Sequence, residues 1–187
     1  GLDLDFDVFT EKTENIKIKK YLINFTENWN NNRNSVIQYY NDFERTFVDS
    51  IYCINAIHFS AKNIKSWNNF IEQVTEVSQP KTRLFINFLD RDLLDKVIYK
   101  QINYKLSYVK KYLGQVNCEV TDFWIKIYYD WCHINPSLEP VLNFKIISES
   151  FEKMGWCVVD FKQNQISFDS PWDNYMNCFS KLILEYK

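Results

Sequence analysis

Glycine is almost absent from this sequence: Gly1, Gly114 and Gly155 are the only three in 187 residues. That scarcity excludes a P-loop, a dinucleotide-binding G-x-G-x-x-G turn and a G-x-S-x-G nucleophile elbow, because each needs at least two glycines where backbone crowds a ligand or a strained turn. Histidine is scarcer still. Only His58 and His133 are present, so H-E-x-x-H and paired-histidine zinc fingers are ruled out as well. No stretch approaches the length of a membrane-spanning apolar run, and no basic-then-apolar leader opens the chain, so neither a spanning helix nor a signal peptide is expected. The net charge of -2, with acids and bases interspersed, lacks the field needed to coat a polyanion. Cys53, Cys118, Cys132, Cys157 and Cys178 are odd in number and lie mostly in apolar stretches, the pattern of reduced thiols in a cytosolic or nuclear protein.

What the chain does have is rings. Aromatic residues make up 18% of it, with six Trp, twelve Tyr and fifteen Phe, so its buried layers should be built largely from them. It also holds 20 Asn, and Lys far exceeds Arg. With Gly1 rather than methionine in first place, it reads as a trimmed segment whose flanking domains are expected outside it.

Along residues 1–115, Leu2, Leu4, Phe6 and Val8 alternate with aspartates, the period of a half-buried strand. A helix over 13–29 follows from Ile18, Leu22, Phe25 and Trp29, and the polar run 30–34 reads as the loop that ends it. Val36, Tyr40, Phe43, Phe47, Ile51, Ile54 and His58 recur at helical steps, although the β-branched and aromatic content of 50–59 supports a strand there instead. Ser60 is a candidate cap for a helix carrying Ile64, Trp67, Phe70, Ile71 and Val74, with Pro80 ending it. After a short apolar piece, 84–89, Leu94, Val97, Ile98, Ile102, Leu106, Val109 and Leu113 predict one long helix, with Asp90 and Asp92 at its start and Gly114 past its end.

Residues 116–187 read as a second domain. The periodicity predicts a helix over 120–132, a turn at Asn135-Pro136, a helix after Pro140 closed by Gly155, a hairpin from 156–161 and 165–168, and a closing helix opened by Ser170-Pro171 and running through Ile183. Helix, helix, hairpin, helix is the order of a winged-helix unit. The fold class expected from sequence is therefore α+β and helix-dominated, a tandem winged helix in which residues 1–115 form a first, helix-rich domain.

No constellation among these residues carries catalysis convincingly. His58 lies on an apolar stripe, where a structural role is the simpler reading. Cys118, Cys132 and His133 make a poor chelating set, and Asp5-x-Asp7 is better read as a solvated strand face than as a Mg²⁺-dependent nucleophile pair. Asp90, Asp92 and Asp95 suit a helix N-terminus. For binding, the second-domain helix offers Lys145 and Lys153 offset by Glu149 and Glu152, which disfavours major-groove reading. The candidate partner or nucleic-acid contacts are Lys145, Lys153, Trp156, the wing residues Lys162, Gln163, Asn164 and Gln165, and Trp172.

The element order over residues 120–183, preceded by another helix-rich block, resembles the tandem winged-helix region of the Stn-type subunit of the CST telomere complex. The Asn- and Lys-rich composition is similar to the ciliate version, a telomerase holoenzyme subunit. The resemblance implies a non-catalytic protein-interaction module in telomere maintenance and DNA replication, nuclear on telomeric chromatin or otherwise cytosolic. It further implies docking onto other subunits of a telomerase or CST-like complex or onto polymerase α-primase, an amino-terminal OB-fold outside this chain, and neither cofactor, metal nor membrane. Direct DNA-binding, to a single strand or a duplex, through a winged helix is the alternative.

Overall fold

The computed structural model describes residues 29–44, 47–100, 109–112, 119–127, 137–165 and 177–187. In chain order these form α1 (Trp29–Phe43), β1 (Val48–Ile54), α2 (Ile57–Ser60), α3 (Ile64–Glu76), β2 (Ser78–Leu89), α4 (Arg91–Lys100), β3 (Val109–Tyr112), β4 (Trp124–Ile127), β5 (Ser137–Pro140), α5 (Phe144–Glu152), β6 (Trp156–Gln163) and β7 (Phe179–Tyr186).

The main sheet runs β1-β2-β7-β6. β1 lies parallel to β2, joined to it by α2 and α3, while β7 runs antiparallel to both β2 and β6. Three strands therefore point one way with a single reversed strand wedged between two of them. A second, three-stranded antiparallel sheet runs β3-β4-β5. The two are tied where an isolated bridge joins Asp90 to Leu142.

The α3 helix forms because Asn63 caps it, its side chain accepting the Ser66 N–H at 2.8 Å, and because Trp67, Phe70, Ile71 and Val74 make one apolar stripe. In the same way Asn143 caps α5 and Ile147 and Phe151 are buried by it. After α5 the chain reverses at Gly155, whose φ of +91° is open to glycine at little cost; a Cβ there would meet the Tyr186 ring at 3.2 Å. Both helices pack on the face of the main sheet that presents Cys53, Leu84, Ile86, Phe88, Leu182 and Leu184. Phe151, fully buried, is the pivot of this core: it stands edge-on to Trp67 at 6.5 Å, Phe70 at 6.2 Å and Trp156 at 5.8 Å between ring centres. A smaller cluster of Leu93, Leu94, Phe123, Ile125, Val141 and Cys178 packs α4 against the second sheet.

This architecture overturns the helix-dominated tandem winged helix. The stretch expected as a helix over 120–132 contains β4, and the stretch expected as the closing helix contains β7. Phe123, Trp124 and Ile125 are all buried, and a strand covered on both faces is a continuous apolar run that periodicity does not distinguish from a helix. In β7, Ser180, Leu182 and Leu184 alternate as the buried set, a period of two that the polar Ser180 inside it and the apolar Ile183 outside it obscure. The expected hairpin partner of β6, 165–168, is replaced by β7; of it only Gln165 is described.

The long helix expected from Asp90 to Gly114 is described as α4 to Lys100, and Val109, Lys110 and Lys111 belong to β3 because pairing with β4 outweighs local propensity. The run 30–34 lies inside α1 rather than in a loop, with Asn32 buried and donating to the Gln73 side chain at 2.6 Å. The helix expected through Ile54 and His58 stops at Phe43, and the competing strand reading of 50–59 holds only to Ile54, as β1, with Ile57–Ser60 forming α2. Asn63, not Ser60, caps α3; Ser60 instead donates to the Ile57 carbonyl at 2.6 Å. Pro80 falls within β2, where the register of β1 against β2 jumps, so its missing N–H breaks no ladder bond in the regular part of the sheet. The expected strand at 2–8 and nearly all of the expected helix at 13–29 lie outside the described residues, as do Asp5, Asp7, Cys118, Cys132 and His133.

Truncating the pivot tests this core: Phe151→Ala is expected to lower unfolding free energy by about 3–5 kcal/mol in urea titrations, more than any exposed substitution on α5.

Candidate functional site

In an open α/β sheet the carboxyl ends of parallel strands leave a crevice where ligands sit. Here β1 and β2 both end at such an edge, with Ile54 beside Asn87. Past β1 the chain turns through Asn55, at φ +53°, whose N–H donates to the Asn87 carbonyl at 2.9 Å. Asparagine tolerates that left-handed conformation better than most residues. Buried Ile57 then anchors the single turn of α2 in the core, which sets the half-buried His58 beside the exposed Phe59 with their rings 4.1 Å apart. Lys62 extends over the Phe59 ring at 5.4 Å.

From the second sheet, β5 brings Glu139 to within 3.3 Å of His58 Nε2, both side chains being mostly shielded, at 18% and 14% exposure. Burial holds the His58 pKa below its ordinary 6.5 because the charged ring loses hydration; Glu139 opposes this by favouring the cation, and Lys62 adds to the depression. The ring is therefore neutral at pH 7. The side-chain oxygen of Asn87 is buried and has no hydrogen-bond partner among the described residues.

Asp90 follows Leu89 and is fully buried, yet its carboxylate is committed to the fold. One oxygen accepts from Ser180 Oγ at 2.6 Å and Gln163 Nε2 at 2.9 Å, and the other from the Asp92 N–H at 2.9 Å. The Asp90 N–H donates to the Cys178 carbonyl and the Arg91 N–H to that of Leu142, which sets β2, α4, β7 and β5's exit against one another. Arg91 pairs with Asp122 at 2.6 Å and lies over the Phe123 ring. The buried thiols are poor nucleophiles, since burial pushes Cys53 up to about 11 and, with Asp90 beside it, Cys178 up to about 12.

The contacts expected from sequence do not converge on this crevice. Lys145, on the exposed side of α5, lies 3.7 Å from Glu149, and Lys153 follows the end of that helix. Trp156 is core, its indole N–H donating to Thr75 Oγ1 at 3.0 Å. Lys162 and Gln163 end β6, with Gln163 bonded to Asp90, and Asn164 and Gln165 follow; Trp172 lies outside the described residues. Helical periodicity puts His58 on an apolar stripe and the strand reading of 50–59 puts it within a strand, whereas the structure places it in α2, past the end of β1. Nothing local points to Glu139.

No protein-family model and no curated protein sequence matches the chain. Among solved structures it is similar to the PH0226 protein from Pyrococcus horikoshii (13% identity, TM-score 0.47, covering 82% of this chain and 66% of that one). It is also similar to the CcbJ methyltransferase from Streptomyces caelestis (10%, TM-score 0.48, 88% and 62%) and to a SAM-dependent methyltransferase from Methanosarcina mazei (9%, TM-score 0.48, 75% and 60%). The chain thus spans less than two thirds of the length of these proteins. At such values it is the strand order above, not the matches, that decides the fold.

The resemblance to a CST subunit falls with the winged helix that carried it. The expectations of a non-catalytic telomere or telomerase module and of winged-helix nucleic-acid binding fall with it too, because they rested on a helix, helix, hairpin, helix order that the strands β4, β5, β6 and β7 replace.

The neutral state of His58 is directly measurable. An NMR titration is expected to place its inflection below 6.5, and Glu139→Gln to move it lower still by removing the carboxylate that favours the cation. Because the folded ring binds its proton more weakly than the unfolded one, its contribution to stability is present above pH 6.5 and is lost as pH falls from there through the folded value. An inflection at or above 6.5 in the parent protein would contradict the burial of this ring.

Proposed function

We propose that this chain is the acceptor side of an α/β group-transfer enzyme, with methyl transfer, the activity in the names of two of the solved structures above, as the reaction to test first. The observation that carries the reading is the His58–Glu139 pair at the carboxyl ends of the parallel strands. A neutral imidazole braced by a carboxylate takes up the proton that an acceptor N–H or O–H gives up as it becomes nucleophilic, and Glu139 stabilises the imidazolium that results.

S-adenosylmethionine, on which the Methanosarcina enzyme depends, fits less well. A nucleoside cofactor needs close backbone approach, which a glycine-rich turn between a parallel strand and a helix N-terminus provides. Here β1 leads through Asn55 and Ala56 into the four-residue α2, and β2 leads into Asp90, whose carboxylate is already taken. Neither turn contains glycine, so the described residues offer an acceptor's surroundings and not the cofactor's cradle.

The test is S-adenosylhomocysteine formation by the full-length protein against nucleic-acid, peptide and small-molecule acceptor pools. Turnover with one pool is expected, with His58→Ala lowering kcat/KM by about 10²–10⁴-fold and circular dichroism unchanged. No turnover with any pool, or a His58→Ala rate equal to the parent's, would remove this reading.

A further inference from the structure

On the helical side of the main sheet, α3 and α5 leave between them a groove with a volume of about 520 Å³. Each helix turns a regular stripe into it: Ile64, Trp67, Asn68, Ile71 and Glu72 from α3, and Ile146, Glu149 and Ser150 from α5, continued by its C-cap Lys153. These follow steps of three and four, so both walls are helical ridges, and the Trp67 indole N–H spans to Ser150 Oγ at 3.1 Å between them. Two helical ridges with a groove between them match the side-chain rows of a third helix laid along them.

The floor of the groove is apolar. Trp67 and Ile71 form it, while Ile64 and Met154, lining it as well, remain 38% and 39% exposed despite their size. Its rim is acidic: Glu72, Glu119 and Glu149 line it, all exposed, against Lys153, and Lys145 reaches Glu149 from outside at 3.7 Å. An apolar floor under a carboxylate rim attracts a helix that carries both leucine-like anchors and lysine or arginine. The same rim repels anionic membranes and nucleic acid.

We infer that the α3–α5 groove docks an amphipathic helix with a basic face, supplied by a protein partner. The groove lies on the helical face rather than at the crevice of His58, and this inference stands whether or not the chain transfers methyl groups.

The probe is a fluorescein-labelled eighteen-residue peptide of leucine and lysine at helical spacing, titrated with the whole chain and followed by anisotropy, beside a twin in which glutamate replaces every lysine. The lysine peptide is expected to bind at least tenfold more tightly than its twin at low salt and to weaken as salt rises. Glu72→Lys with Glu149→Lys, both at exposed positions, is expected to invert that preference, and Met154→Ser to weaken binding of both peptides by loss of an apolar contact, each with the parent's circular dichroism. Equal binding of the two peptides, no binding of either, or a preference left unchanged by the double charge reversal would overturn the inference.

Discussion

One strand running against two neighbours organises this molecule. β7 accepts and donates ladder bonds to β2 on one side and to β6 on the other, and so it closes a sheet whose other members are far apart in sequence. Its buried set, Ser180, Leu182 and Leu184, supplies the centre of the floor on which α3 and α5 pack. Without that strand, β6 and α5 would have no sheet to join. The aromatic pivot at Phe151, which needs Trp67 from one helix and Trp156 from one strand, would not assemble. Aromatic pairs add about 0.5–1.5 kcal/mol each to the burial of their area, so three edge-on contacts on one ring matter only after the sheet has brought the rings together.

The crevice depends on the same arrangement one step removed. Asp90 sits where β2 gives way to α4, and its buried carboxylate gathers Ser180 of β7 and Gln163 of β6. A buried carboxylate is tolerable because donors occupy both its oxygens. The backbone on either side of Asp90 fastens to Cys178 and Leu142, and this fixes the second sheet against the edge of the first. Glu139 therefore reaches His58 across a junction between sheets rather than along a single element. That is why the pair is shielded, and why desolvation outweighs the carboxylate in setting the charge of the ring.

The helices of the core are legible in the amino-acid order alone. Residues 64–74 and 144–151 carry apolar steps of three and four, the second closed by Gly155, and α3 and α5 lie there. The strands are not. Phe123, Trp124 and Ile125 make an unbroken buried run into β4, and in β7 the buried set carries a serine while Ile183 interrupts the polar set, so neither strand shows the clean alternation that marks one wet face. Lys110 and Lys111 suit a helix C-terminus on local grounds and are strand residues because β4 lies alongside. Each of these features tilts local periodicity toward helix, and together they spell a winged-helix order that the fold does not have.

What the amino-acid order determined by itself is local or compositional. Three glycines and two histidines exclude whole classes of phosphate cradle and metal site, and capped amphipathic segments become helices wherever the rest of the chain goes. What only the tertiary structure decided is pairing. Whether Glu139 meets His58, whether Asp90 is a cap or a hub, and whether an apolar run is strand or helix all depend on which distant segment lies beside it. Hydrogen bonds and burial between distant residues leave no periodic trace in either partner alone.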